Sequence, residues 1–197
     1  MQPPFLELSY FVGPERKDAA MRVIASLGAQ ARPDDAFRII GLPGRPEQAV
    51  ASCGVVTVRT EGVDFCGPNR DDVRRLRELG AQVYAAFIRV AEAIDCLYGA
   101  ILVEYSLEEP GELRRDPRSL AFRNFYLGRR LGPRTRAGVL KLLPQTAYAL
   151  ELDGGLYVST SAELNPDGRS IDSESGQYLS TRIGRVIAGL SRSSASS

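Results

Sequence analysis

The chain contains no histidine among its 197 residues. Without histidine it cannot build a serine–histidine–aspartate triad, a cysteine–histidine pair or a zinc site with histidine ligands. It also has no side chain whose ordinary pKa lies close to neutrality. Enzymes that use paired carboxylates, arginine and tyrosine, or carboxylate-bound Mg²⁺ are still compatible with the sequence. The missing residue therefore favours a protein that binds over one that catalyses.

Cysteine is scarce as well, with three residues at Cys53, Cys66 and Cys96. An odd number without CxxC spacing argues against a disulfide framework and against a cysteine-built zinc site. The segment 165–174 carries oxygen ligands at short spacing, but it departs from the pattern of a calcium-binding loop. Nucleotide-binding glycine motifs are also missing from the sequence. We therefore expect neither a metal nor a cofactor.

Long apolar runs are the third absence. The best candidate, 96–103, has eight residues and contains Gly99, whereas a membrane-spanning helix needs about 20 apolar residues. The first residues lack the basic and apolar regions of an export signal. The formal net charge of +1 gives no general attraction to nucleic acid or to an anionic membrane. These features predict a cytoplasmic protein without membrane contact, and they do not favour nucleic acid as a partner.

Strands dominate the pattern of the first half of the chain. Leu6, Leu8 and Tyr10 alternate with polar residues, which predicts a first strand. Short apolar runs predict three further strands, at 37–42, 54–60 and 100–106. The stretch between the second and third strands is rich in proline, glycine and charge, and it is predicted to be a loop.

Two helices separate these strands. The first is expected to begin at Pro14 and to stop at Gly28. For the second, apolar residues step by three and four between 73 and 97, with Asn69 placed to cap the helix and Gly99 to end it after about seven turns. The resulting order is β-α-β-β-α-β, the split unit of ferredoxin-like folds. The sequence therefore predicts an α+β fold.

The second half is expected to extend the same sheet. Predicted strands at 147–152 and 156–160 form a hairpin around Asp153-Gly154-Gly155. The remaining elements are a charged connection at 110–117, a strand at 124–131, a short helix at 136–143 and an amphipathic helix at 179–190. We expect one domain over 1–190, followed by a disordered serine-rich tail over 191–197.

Arginine is concentrated in the middle of the second half. From 114 to 141 the chain has nine basic residues and one acidic residue, with aromatic residues interleaved. Guanidinium groups beside aromatic rings suit phosphate, carboxylate or an acidic protein surface. The predicted partner-binding residues are Arg123, Tyr126, Arg129, Arg130 and Arg134. An ordinary solvated face is the other interpretation. Nearly all basic residues of this chain are arginine, so a concentration of arginines does not by itself indicate a binding site.

Two glutamates suggest an alternative. Glu104 lies inside a predicted apolar strand and Glu151 inside another, so they are candidates for an acid and base pair. With arginines as anchors, such a pair would serve a histidine-free enzyme that acts on an anionic or sugar-like small molecule. Each glutamate paired with an arginine in a structural role is the simpler interpretation.

Two segments also suggest a family. Tyr98-Gly99-Ala100-Ile101, with Glu104 and Pro110, and later the segment 155–160, resemble immunity proteins of bacterial polymorphic toxin systems. The resemblance implies a small cytoplasmic α+β protein that inactivates a toxin by binding it, and it assigns a role to no single residue. Taken together, the sequence predicts a non-catalytic binding protein that engages a protein partner through a charged surface. The partner under the enzyme alternative is an anionic small molecule.

Overall fold

A computed structural model describes the chain in seven ranges, which are 6–32, 49–60, 70–103, 107–116, 124–143, 148–159 and 183–187. Within them, seven strands form one sheet and helices pack on both of its faces. The predicted α+β class is therefore confirmed. The predicted strand at 37–42 and the predicted tail at 191–197 lie outside the described residues.

The strands are β1 (Leu6–Phe11), β2 (Ala49–Ser52), β3 (Val55–Arg59), β4 (Tyr98–Val103), β5 (Asn124–Gly128), β6 (Tyr148–Leu152) and β7 (Gly155–Ser159). The helices are α1 (Lys17–Gln30), α2 (Arg70–Ala93), α3 (Pro110–Arg115) and α4 (Gly132–Leu140). Short 3-10 turns at Pro14–Arg16 and Arg129–Leu131 precede α1 and α4, and 183–187 is helical. None of the helices in these ranges is long and apolar enough to cross a membrane.

The sheet has the spatial order β2-β3-β1-β4-β5-β7-β6, and neighbouring strands are antiparallel throughout. As a result, β3 lies between β1 and β2, and β1 lies between β3 and β4. The hairpin of β6 and β7 extends the sheet beyond β5, as the sequence predicted. The two long helices, α1 and α2, lie on one face.

The core beneath α1 and α2 explains the alternation in β1. Leu8 and Tyr10 are fully buried on this face together with Ile24 of α1 and Phe87 of α2. The ring of Tyr10 stacks on Phe87 with centroids 5.1 Å apart, and its hydroxyl donates a hydrogen bond of 3.2 Å to the Phe87 carbonyl. The buried phenol therefore has the partner that its polar end requires.

A second core covers the opposite face of β4, β5 and β7. Leu113 of α3 and Val139 of α4 are fully buried here, and Ile183 and Ile187 contact the same cluster. Because both faces of β5 and β7 are covered, these strands are buried along their whole length. The apolar spacing of the predicted final helix is therefore confirmed over 183–187.

The end of α2 differs from the prediction. The helix ends at Ala93, and Gly99 lies in β4. Asp95 follows the helix with φ 50°, in the left-handed region. Its amide donates to the Glu92 carbonyl at 3.1 Å, and the next amide, of Cys96, donates five residues back at 3.2 Å. This is a Schellman ending in which aspartate occupies the position that usually holds glycine.

The strand β2 was missed by the sequence, which placed a loop there. It is only four residues long, and three of them are small, so that Val50 alone gives a β signal. A two-residue turn joins it to β3, because Ser52 pairs with Val55. Both turn residues, Cys53 with φ 46° and Gly54 with φ 97°, have the positive φ angles of a type I′ turn.

Three boundaries in the second half also differ. The expected connection at 110–117 contains α3, which is stabilised at its start by a capping box between Glu109 and Glu112. The strand β5 ends at Gly128, where the sequence predicted 131. Pro133 sets the start of α4, so this helix begins four residues earlier than predicted.

Candidate functional site

Three chain segments meet at one end of the sheet, where β1 and β5 end and β4 and β7 begin. The Leu97 amide donates to the Phe11 carbonyl at 2.8 Å, and the Gly128 amide donates to the Leu97 carbonyl at 2.9 Å. The Arg129 amide in turn donates to the Gly154 carbonyl at 2.7 Å. These bonds fix the end of α2, the end of β5 and the β6–β7 turn relative to one another.

A cavity of about 520 Å³ lies between these segments. Its walls come from the end of α2, from β5 with the following turn, and from the β6–β7 hairpin. The lining residues are Ala91, Glu92, Asp95, Cys96, Tyr126, Arg129, Glu151, Leu152, Asp153 and Gly154. Its size is within the range of small-molecule sites.

Asp95 holds two arginines at the edge of this cavity. Arg16 Nη1 donates to its Oδ2 at 3.1 Å, and Arg129 Nε donates to its Oδ1 at 2.9 Å. Partial burial opposes ionisation of Asp95, but the hydrogen bonds and charges of the two arginines outweigh it, so the pKa of this carboxyl is lowered. Asp95 follows the negative end of the α2 dipole, which disfavours a negative charge there, and the positive charges of the two arginines compensate for this repulsion.

Tyr126 forms a buried part of the wall. Its side chain is 1% exposed, and within the described ranges its hydroxyl has no hydrogen-bond partner. A Cβ at Gly154 would lie 2.8 Å from this hydroxyl and 2.9 Å from Glu92 Cγ, so glycine leaves the space open. Burial, followed by the charges of Cys96 and Glu92, raises the pKa of the phenol, which therefore stays neutral.

Cys96 is buried beside Asp95. Burial and then the Asp95 charge raise the pKa of its thiol, although Arg130 and Arg16 oppose this shift. Since the thiolate is the reactive form, Cys96 is an inert part of the wall. Cys53 is an exposed free thiol far along the chain in the β2–β3 turn, and Cys66 lies outside the described residues.

Three carboxylates of the cavity are exposed: Glu92, Glu151 and Asp153. Among the residues that the structure describes, none of the three has a hydrogen bond or an ion pair. In the same ranges, no cluster of histidine, cysteine or carboxylate side chains is arranged to hold a metal ion. These carboxylates are therefore open to an organic ligand.

The structure brings together three of the residues that the sequence selected. Tyr126, Arg129 and Glu151 line the same cavity, although Tyr126 is buried and is not part of an exposed contact surface. Arg130 Nη1 donates to the Val12 carbonyl at 3.1 Å, away from the lining, and Arg134 is exposed on α4. Arg123 and Glu104 lie outside the described residues.

Sequence reasoning missed Asp95, which organises the cavity edge. Its partners are Arg16 and Arg129, 79 and 34 residues away along the chain. No local pattern signals such a pairing, and the predicted helix ran past residue 95. The sequence carries no clear signal for this helix ending, because Ile94 and Leu97 continue the helical spacing past Asp95.

Comparison with protein-family models yields no match for this chain, and neither curated proteins nor solved structures match it. Function is therefore inferred from the cavity, its buried hydroxyl and its charges.

Proposed function

We propose that this chain is a non-catalytic binding protein and that its site is the cavity between the end of α2, β5 and the β6–β7 turn. The observation that carries the proposal is the Tyr126 hydroxyl, which is buried in the wall and has no partner among the described residues. Leaving such a group without a hydrogen bond costs about 1–3 kcal/mol. A polar ligand that bonds to it recovers this free energy on binding.

The chemistry of the wall supports binding over catalysis. The Tyr126 phenol and the Cys96 thiol both have raised pKa values, so neither supplies an anion near neutral pH. Arg16 and Arg129 are fixed by Asp95. A ligand would therefore meet a preorganised wall of fixed charges and neutral groups.

One observation favours a second candidate, a histidine-free enzyme acting on an anionic or sugar-like small molecule. Glu151 and Arg129 lie in one cavity, which is the convergence that such an enzyme requires. Glu151 would act as the acid or base and Arg129 as an anchor. A compound that binds is incubated with the protein for a prolonged period and then analysed by mass spectrometry. Recovery of the unchanged compound supports binding. Conversion of the compound that is abolished in Glu151→Gln supports the enzyme.

The proposal also places the protein in the cytoplasm. Cys53 and Cys96 are free thiols in the described part of the chain, and free thiols are usual in a reducing compartment. The resemblance to immunity proteins implies a ligand presented by a partner protein. The charged groups that line the cavity, Arg129 among them, are compatible with such a presentation.

Thermal unfolding with four probes tests the proposal. The probes are agmatine, succinate, erythritol and a terminally blocked Gly-Arg-Gly peptide, which represent a cation, an anion, a neutral polyol and a side chain of a partner protein. A ligand at about 100 times its Kd adds about 2.7 kcal/mol of stability, which corresponds to a rise in Tm of roughly 5 °C or more for a chain of this size. We expect at least one probe to raise the Tm of the wild-type protein.

Two glycine variants serve as the matched comparison. Gly154→Ala places a methyl group against the Tyr126 hydroxyl and should abolish the rise in Tm, whereas Gly138→Ala points into open space on α4 and should retain it. Tyr126→Phe serves as a second site variant should Gly154→Ala fold poorly. Failure of every probe to raise the Tm, or an equal rise in Gly154→Ala and Gly138→Ala, would overturn the proposal.

A further inference from the structure

We infer that the ligand presents a positively charged nitrogen, an ammonium or guanidinium group, to the carboxylates of the cavity. This inference rests on the proposed function, because it names the class of ligand for the same site. Four carboxylates and one guanidinium line the cavity. Charges of one sign on a concave surface raise the local concentration of ligands of the opposite sign.

The positive groups near the cavity are either paired with Asp95 or outside the lining. Arg129 donates its Nε to Asp95, and Arg16 bonds the other oxygen of the same carboxylate. Arg136 has a buried Nη1 without a hydrogen-bond partner among the described residues and lies near enough to influence the Tyr126 phenol, but it is not among the lining residues. The charges that remain available on the wall are therefore mainly negative.

The unused groups of the wall are three carboxylates, which accept hydrogen bonds, and the Tyr126 hydroxyl, which can accept and donate. Glu92, Glu151 and Asp153 have no ion pair within the described ranges. The Tyr126 hydroxyl and Glu92 Oε1 flank Gly154, since both lie within 3.2 Å of the position of a Cβ on that residue. A cationic nitrogen carries several N–H donors and no acceptor, so it can satisfy a hydroxyl and a carboxylate together.

A metal ion is a poorer fit for the same carboxylates. Mg²⁺ and Ca²⁺ require oxygen ligands at about 2.0–2.6 Å, which only converging side chains supply. No such convergence exists in the part of the chain that is described. Carboxylates distributed around a cavity of about 520 Å³ match a larger organic cation better.

A cationic nitrogen of this kind has two sources, a free small molecule or a basic side chain of a partner protein. Agmatine represents the first source, and a terminally blocked Gly-Arg-Gly peptide represents the second. Succinate and erythritol test the opposite charge and no charge. Isothermal titration with the full-length protein measures the Kd of each of the four probes.

We expect agmatine or the blocked peptide to bind, and succinate and erythritol to bind at least tenfold more weakly. Exposed charge pairs contribute about 0.2–1 kcal/mol each, so Glu92→Gln and Glu151→Gln should each weaken binding by about 1.4- to fivefold. The control Glu78→Gln changes an exposed carboxylate on the same helix, outside the cavity, and should leave the Kd unchanged. Raising the ionic strength should weaken binding as well.

The outcomes separate the inference from the function on which it rests. Tighter binding of agmatine than of the blocked peptide identifies the ligand as a free cation. Binding of the blocked peptide alone identifies the ligand as a basic side chain of a partner protein. Binding of succinate or erythritol in preference to both cations overturns the inference and leaves the proposed function standing. Equal affinity in wild type, Glu92→Gln and Glu151→Gln also overturns it. If none of the four probes binds, both proposals fail.

Discussion

We expect the Tyr126 hydroxyl to affect the stability of the protein and its affinity for a ligand in opposite directions. Removing it by Tyr126→Phe takes away a polar group that is buried without a partner among the described residues, while the ring that packs against Gly154 and Gly155 is kept. The free protein should therefore gain about 1 kcal/mol in its free energy of unfolding. Urea denaturation of both forms measures this change.

The same variant should bind its ligand more weakly. A hydrogen bond between a neutral hydroxyl and a charged ligand contributes about 1.5–3 kcal/mol, so the Kd should rise about tenfold or more. Opposite changes in stability and affinity distinguish a binding group from a structural one. A loss of stability in Tyr126→Phe would show instead that the hydroxyl has a partner in the folded protein.

Asp95 is the second residue whose chemistry yields a measurable effect. Its pKa is lowered below the usual 3.8 by the bonds from Arg16 and Arg129, so its ionised form stabilises the fold. Asp95→Asn should cost roughly 1–2 kcal/mol at pH 7, since two charge-assisted bonds are weakened and Arg129 is 66% exposed. Chemical denaturation at several pH values measures the difference.

The sign of the pH dependence follows from the direction of that shift. The stabilisation by Asp95 is complete above its unfolded pKa and is lost as the pH falls through the lower folded value. Wild type and Asp95→Asn should therefore converge in stability only at strongly acidic pH. A difference that stays constant down to that range would contradict the ion pairs.

At the scale of elements, the turn after β5 has a structural role. Arg129 bonds to Asp95 at the end of α2, and Arg130 bonds to the carbonyl of Val12 after β1. Replacing both arginines by alanine should cost roughly 1–2 kcal/mol in the free energy of unfolding. Thermal and chemical denaturation of the double variant measure this loss.

Arg134→Ala is the matched control for that pair. Arg134 is exposed on α4, and its replacement should change stability by no more than about 0.5 kcal/mol. Equal stability of the double variant and Arg134→Ala would mean that all three arginines form a solvated face. The bonds at the sheet end would then contribute nothing measurable.

Elements with a strong local signal were predicted from the sequence. The alternation in β1, the helical spacing of α2 and the turn residues between β6 and β7 each depend on neighbours within a few positions. The strand β2 was missed because it is four residues long with three small residues, and its pairing with β3 depends on a two-residue turn. The end of α2 escaped because aspartate occupies a position that usually holds glycine.

The candidate site was predicted only in part, because some of its contacts join residues that are far apart in the sequence. Arginine density and glutamates in apolar strands indicated Tyr126, Arg129 and Glu151, which lie in one cavity. The sequence had no means of joining Asp95 to Arg16, because their contact depends on β1 and β4 being neighbours in the sheet. The negative excess of the wall likewise appears only when α2 and the β6–β7 turn are brought together.

For the whole molecule, the central claim is that a polar ligand binds at the end of the sheet where β1 and β5 end. Amide chemical shifts of ¹⁵N-labelled protein, recorded during titration with agmatine, the blocked Gly-Arg-Gly peptide, succinate and erythritol, locate binding most directly. The account predicts shifts concentrated at Cys96, Arg129 and Gly154, and their loss in Gly154→Ala. Shifts centred on exposed α4 around Arg134, or no shifts with any of the four probes, would contradict it.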